Sequence, residues 1–298
     1  MKILLATDGS EYSEGAAKFL TRLNFSSDDE ITILHVISWV PFKYDKESYY
    51  SSLKQIKQEI GPKILDSTAN ILKPVRAKIV TKIIDGSPEK YIVNVAVDSD
   101  MDMIVMGARG LKGIKSLIIG SITRSVTLNS PKPVLVIKPQ QHEEPGKIKI
   151  LFATDGSDSA NETGRILTMI PFHDDTEITI VNVIRTALAD IPGKFVPEIG
   201  DRIKDMMEKT GSVEFAESDK IITHAREILS KRFKNVQGLT KFGYRAIEIL
   251  NTAETSKTDL IAVGCRGLKG IRGMMKSLSR NILNHSSCSV LIGKSCKK

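Results

Sequence analysis

The residues of this chain best placed to do chemistry are three glycines, a serine and an aspartate. The glycines and serine form Gly107-x2-Gly110-x9-Gly120-Ser121. Glycines lack a side chain, so backbone N–H groups can approach an anion closely, and a helix opening at Ser121 adds its positive dipole end. Phosphate oxygens would then rest on the amides of Gly120, Ser121 and Ile122, with the Ser121 hydroxyl as a further donor. The aspartate, Asp8, stands in Ala6-Thr7-Asp8-Gly9-Ser10, and could be read as a general base. A plainer alternative stays open: Gly107 is a strand-end turn, Gly110 and Gly113 punctuate a loop, and Ser121 caps a helix. Arg109 reaches either a phosphate or only solvent.

Other chemistry is hard to find. The chain has no Gly-x4-Gly-Lys-Ser/Thr loop, no Gly-x-Ser-x-Gly elbow, no His-Glu-x-x-His and no kinase signature set. No nucleophile is paired with an evident base, and no arginine finger is identifiable. Cys265, Cys288 and Cys296 are an odd number without metal-ligand spacing. Cys265 follows Gly264 and is expected to be partly exposed, but a redox role needs a lowered thiol pKa. His35 falls at a strand end near the proposed pocket, although Asn182 replaces it in the second copy described below. Tyr49 and Tyr50 are expected to pack a long helix.

The elements that must position these residues alternate between strand and helix. Ile3 to Thr7 is a short apolar run closed by Asp8-Gly9-Ser10, which predicts a buried strand ending in a turn. Ser10 can cap a helix carrying Ala16, Ala17, Leu20 and Leu23 on one face. Ile31 to Ile37 predicts a second strand and Leu53 to Leu72 a helix. Val75 to Ile84 predicts a third strand, and Ser87-Pro88-Glu89 reads as a capped helix start. Met103 to Met106 follows as the fourth strand, Ser121 to Asn129 as the fourth helix and Val134 to Ile137 as the fifth strand. Such alternation makes a mostly parallel five-stranded sheet with helices on both faces, an α/β unit of Rossmann-like form. Its ligands bind beyond the carboxyl ends of the strands, where strand order reverses.

The chain then repeats itself. Lys2 to Ser10 returns as Lys149 to Ser157 and Ile31 to Ile37 as Ile178 to Ile184, both at an offset of 147. Gly107-Ala108-Arg109-Gly110-Leu111-Lys112-Gly113-Ile114 returns as Gly264-Cys265-Arg266-Gly267-Leu268-Lys269-Gly270-Ile271 at an offset of 157. Three blocks in one order imply a duplicated domain, each copy large enough for its own core. The expected units are 1–139 and 148–298, joined by a polar linker at 140–147. Aligning Ser121-Ile122-Thr123-Arg124 with Ser277-Leu278-Ser279-Arg280 leaves the second glycine loop one residue shorter and puts Lys276 where Gly120 stands. A side chain there should obstruct phosphate, so the second copy is expected to bind it poorly, with the Lys276 ammonium in the vacated place.

Composition sets outer limits. At 298 residues, with 41% hydrophobic and 26% charged content, the chain is of ordinary globular make-up. The net charge of +8 reads as a lysine-rich solvated surface, with Lys294 to Lys298 a frayed tail. Aromatics at 5% argue against a base-stacking nucleic-acid platform. No apolar run approaches the length of a membrane span, and the first residues are too short for a signal peptide, so a cytoplasmic protein is expected.

The three motifs Ala6-Thr7-Asp8-Gly9-Ser10, His35-Val36-Ile37 and Gly107-x2-Gly110-x9-Gly120-Ser121 resemble the universal stress protein family in its tandem form. The resemblance covers both halves outside the linker and the stretches after each second strand. It implies an adenine nucleotide α-hydrolase-like fold binding ATP, with Mg2+ or Mn2+ bridging phosphate oxygens and no metal ligand from side chains. It implies that Ala6, Thr7, Asp8 and Val36 meet the adenine end. Met106, Gly107, Arg109, Gly110, Gly120, Ser121 and Ile122 would hold ribose and phosphates. Asp155, Val183, Gly264, Gly267 and Ser277 are weaker counterparts in the second copy. It further implies association through the last strand, hence an internal pseudo-dimer, a homo-dimer as an alternative assembly, and an unnamed protein partner. Three functions stay open: a nucleotide-responsive regulatory protein, a nucleotide-free scaffold, and a slow ATP-hydrolysing enzyme.

Overall fold

The structure is a computed structural model and describes residues 1–38, 47–110, 119–139, 147–185, 201–265 and 277–294, apart from the side chains of 47–54, 201–210 and 277. Strand β1 (Lys2–Thr7) is buried from Ile3 to Thr7, as a strand covered on both faces requires. Gly9 then turns the chain at φ +76°, where a side chain would be strained and would press on Ile64. Ser10 caps α1 (Glu11–Thr21) by accepting the Ser13 amide, with Glu11 and Glu14 in the first turn and Lys18 in the last. The second half repeats the device after β6 (Lys149–Ala153), with Gly156 at φ +72° and Ser157 capping α5 (Asp158–Met169).

The first half continues with β2 (Glu30–Ser38), α2 (Glu47–Ile71), β3 (Lys78–Gly86), α3 (Pro88–Asp98), β4 (Met103–Gly107), α4 (Ser121–Asn129) and β5 (Val134–Ile137). The second continues with β7 (Glu177–Ile184), α6 (Asp201–Leu229), β8 (Asn235–Phe242), α7 (Arg245–Thr255), β9 (Leu260–Cys265), α8 (Ser277–His285) and β10 (Ser289–Lys294). Three sequence expectations need correction. Strand β3 begins at Lys78 rather than Val75, because the Val75 amide closes a turn onto Leu72 O at 2.9 Å. Ser87 precedes α3 but its side chain caps no amide; the hydroxyl donates to Glu89 Oε1 at 2.6 Å instead. Lys294 is the buried end of β10 and not part of a frayed tail. Tyr49 and Tyr50 lie on α2, where their side chains fall outside the description.

Among the described residues ten strands form one sheet in the order β3-β2-β1-β4-β5-β10-β9-β6-β7-β8. Each half is parallel throughout, and the halves meet where β5 and β10 pair antiparallel, Leu135 beside Leu291 and Val136 beside Val290. Helices cover both faces, and the two cores do not stop at this seam. One runs from Ile3, Leu5, Ala16 and Leu20 through Leu135 to Phe152 and Phe172. The other runs from Leu4, Ile92 and Val126 through Val136 to Val263 and Ile282.

Candidate functional site

Strand β1 has β2 on one side and β4 on the other, so the winding reverses between β1 and β4. That crevice, outside the carboxyl ends, is where such sheets take ligands. Asp8 follows β1 directly, Ala6 pairs with Met106, and Val36 lies near the end of β2 beside Ile84. Thr7 is buried and its hydroxyl joins Ser13 and Thr68 in a network beneath the turn. Asp8 Oδ1 accepts the Ser10 amide at 3.1 Å and the Ser10 hydroxyl at 2.6 Å. Its other oxygen lies so close to Gly110 that a Cβ there would meet it at 2.2 Å. The aspartate and the glycine segment, about a hundred residues apart in sequence, are thus in contact.

The three glycines have different reasons to be there. A Cβ on Gly107 would stand 2.6 Å from the Tyr12 carbonyl, so this glycine lets α1 lie against the end of β4. Gly264 does the same against the Ser159 carbonyl, at 2.7 Å. Gly120 differs. It is the N-cap of α4 at an ordinary φ of −61°, and among the described residues no atom comes nearer than 3.4 Å to a Cβ placed on it. An N-cap favours serine, threonine, aspartate or asparagine at least as well, so packing among the described residues does not demand glycine here.

The Gly120 amide donates to Ala108 O at 2.9 Å, which corrects the expectation that it faces a phosphate. The first amide to bond back within α4 is that of Arg124, onto Gly120 O. Helix geometry therefore leaves the amides of Ser121, Ile122 and Thr123 directed beyond the helix end. Ser121 and Ile122 are exposed there. Thr123, which sequence reasoning did not single out, donates its hydroxyl to Gly107 O at 2.9 Å and ties α4 to β4. Ser279 makes the matching bond to Gly264 O at 3.0 Å, so the signal was a hydroxyl recurring in both copies.

Arg109 is not simply in solvent: it donates to the Tyr12 hydroxyl at 3.0 Å and stacks over that ring at 5.4 Å. His35 Nδ1 lies 2.9 Å from Thr7 O, which as a carbonyl must accept. Asn182 donates to Thr154 O at 2.8 Å from the matching place. Both residues tie the second strand to the first, which accounts for their interchange. Cys265 is 3% exposed, against the expected partial exposure, because β10 and the helices cover β9.

In the second half a shallow cleft, open to solvent, lies at the corresponding strand ends. Ala153, Val181, Val183 and Val263 give it an apolar floor, and Asp155, Arg245 and Ser279 are among its polar residues. Gly264 lines it too. Arg245 stands where the first half has Pro88, and the sequence reading had passed over it. Ser277 opens α8, its side chain outside the description; Gly267, Arg266 and Lys276 lie outside the described residues altogether.

Comparison with known proteins gives these features a context. The universal stress protein family matches residues 1–138 and again residues 148–294. A universal stress protein of Methanocaldococcus jannaschii is 31% identical over 143 residues, covering 48% of this chain and 84% of its own length. One of Bacillus subtilis is 28% identical over 145 residues, covering 46% of this chain and 98% of its own. The crystal structure of a universal stress protein from Archaeoglobus fulgidus superposes with a TM-score of 0.64 at 20% identity, spanning 98% of this chain and 96% of its own. That last likeness is one of fold.

Proposed function

This chain belongs to the universal stress protein family, and on that premise we propose that its first half binds an adenine nucleotide and acts as a nucleotide-responsive regulatory protein. The nucleotide is ATP, accompanied by Mg2+ or Mn2+. The units are taken as 1–139 and 148–298, with 140–147 between them, and the protein as cytoplasmic. The observation that carries the reading is Gly120: a glycine at a helix N-cap that packing among the described residues does not require. A group approaching from outside the chain, at the positive end of α4, supplies the missing reason.

The residues divide the work by chemistry. Ala6, Val36 and Met106 give a largely buried, apolar wall suited to a base, and the Asp8 carboxylate accepts from base or ribose donors. Gly107 and Gly110 keep the loop low. The Ser121 and Ile122 amides and the Ser121 hydroxyl take phosphate oxygens, and Arg109 lies close enough to exchange Tyr12 for one. The cation would offset phosphate charge and take its ligands from phosphate oxygens. Among the described residues no group of three or more His, Cys, Asp or Glu side chains could hold it. Bound nucleotide would bias a conformation or interface that a protein partner then reads.

The test is to denature freshly purified protein and quantify the released nucleotide by chromatography and mass spectrometry. About one ATP per chain is expected, from the first half, and Gly120→Lys should abolish it. Two per chain would overturn the view that Lys276 disables the second half. None, together with failed titration by Mg–ATP, would replace this reading with a nucleotide-free scaffold.

A further inference from the structure

Two lysines are buried at the seam between the halves, Lys138 at 6% exposure and Lys294 at 7%. Burying an ammonium is costly unless its donors are satisfied. Each donates into the opposite half. Lys294 Nζ donates to Thr127 O at 2.7 Å, and Thr127 belongs to α4. Lys138 Nζ donates to Leu283 O at 2.8 Å, Ser286 O at 2.6 Å and Ser286 Oγ at 3.0 Å, at the end of α8.

The acceptors are matched. In α4 the Ser130 amide takes Val126 O, so Thr127 O is the first carbonyl without an intrahelical partner. In α8 the Ser286 amide takes Ile282 O, which puts Leu283 O in the same position. Each half therefore places a cation on the negative end of the other half's last helix.

Helix α4 is also the helix whose first turn faces the proposed phosphates. It is tied to β4 at the front by Thr123 and the Gly120 amide, and held behind by Lys294. At nine residues it is a rod of about 13 Å, so freeing its tail lets its head shift. We propose that Lys294 is a positioning residue for the anion site of the first half: it acts from the second half, through α4, to fix the amides that meet the phosphates. The inference rests on the nucleotide reading above. It also gives the second half a task that does not depend on binding nucleotide itself.

The experiment measures ATP and adenosine affinity, and amide exchange in α4 and α8, for the intact chain and for Lys294→Met, Lys294→Arg and Lys138→Met. Lys294→Met should weaken ATP about fivefold or more, leave adenosine unchanged and speed exchange in α4. Lys294→Arg should recover most of the loss. Lys138→Met, in the same seam but acting on α8, should speed exchange in α8 and weaken ATP distinctly less than Lys294→Met does. Equal weakening by both Met variants, or equal loss of ATP and adenosine, would show general loosening of the seam and overturn the proposal. If Lys294→Met does not fold, Lys294→Gln is read by the same criteria. A wild type that takes no ATP overturns the nucleotide reading instead. The cap is then judged on exchange alone, where acceleration confined to α4 in Lys294→Met upholds it and uniform acceleration defeats it.

Discussion

Gly107 and Gly120 belong to one motif, yet substitution should separate them. Gly107→Ala drives a Cβ into the Tyr12 carbonyl and should lower stability by about 1–3 kcal/mol, as overpacking does. Gly120→Ala meets no described atom closer than 3.4 Å and should lower the urea midpoint distinctly less, by the N-cap preference alone, while weakening ATP. Equal stability losses would remove the distinction on which the proposed site rests. Lys138 offers a second residue-scale prediction. Burial, helped by the Arg109 charge, pushes its ammonium down to about 8. Burial holds the Cys288 thiol up at about 11, so it stays protonated through the window. Between about 8 and the unfolded lysine value near 10.4, Lys138 binds more protons in the unfolded chain than in the folded one, so its contribution to stability rises with pH. Wild type should therefore gain on Lys138→Met as urea midpoints are followed from pH 7.5 to pH 10; a flat difference would contradict it.

At the scale of elements, Ser10 and Ser87 read alike in the sequence, each a serine ahead of a helix. Only Ser10 accepts a first-turn amide, from Ser13 at 3.3 Å, whereas the Ser87 hydroxyl is spent on Glu89, whose carboxyl it holds low. Ser10→Ala should cost about 1 kcal/mol and Ser87→Ala distinctly less, measured by thermal unfolding without nucleotide. Element type was legible because apolar runs and turn residues act locally: α4 and β5 stand at the residues expected. The edge strand β3 was displaced because its exposed residues carry little alternation, so a turn hydrogen bond at Val75 decided where it starts.

At the scale of the molecule, the sheet ends in β3 and β8 and is continuous across β5 and β10. The outer strand β3 presents exposed Lys78 and Lys82, charges that discourage further pairing. The inner strand β5 has no such guard, since Val134, Leu135 and Val136 are wholly buried. A separately expressed 1–139 segment should expose that edge and dimerise through it. Light scattering should report a dimer, and Leu135→Lys in that segment should return it to monomer. A segment monomeric without substitution would mean that the seam depends on features of β10 that β5 lacks.

The sequence by itself determined the duplication, the order of strands and helices, and the nearness of Asp8 to the glycine segment. Those follow from repeats and periodicity, which are written in neighbouring residues, and from a winding rule that holds for any parallel sheet. Tertiary structure alone decided which glycine serves packing and which leaves an approach open. It also decided that His35 and Asn182 brace a strand end, and that Lys138 and Lys294 reach across the seam to opposite helices. Each of those depends on partners distant in the chain, and a side chain's role is set by the atoms around it, which local sequence does not contain.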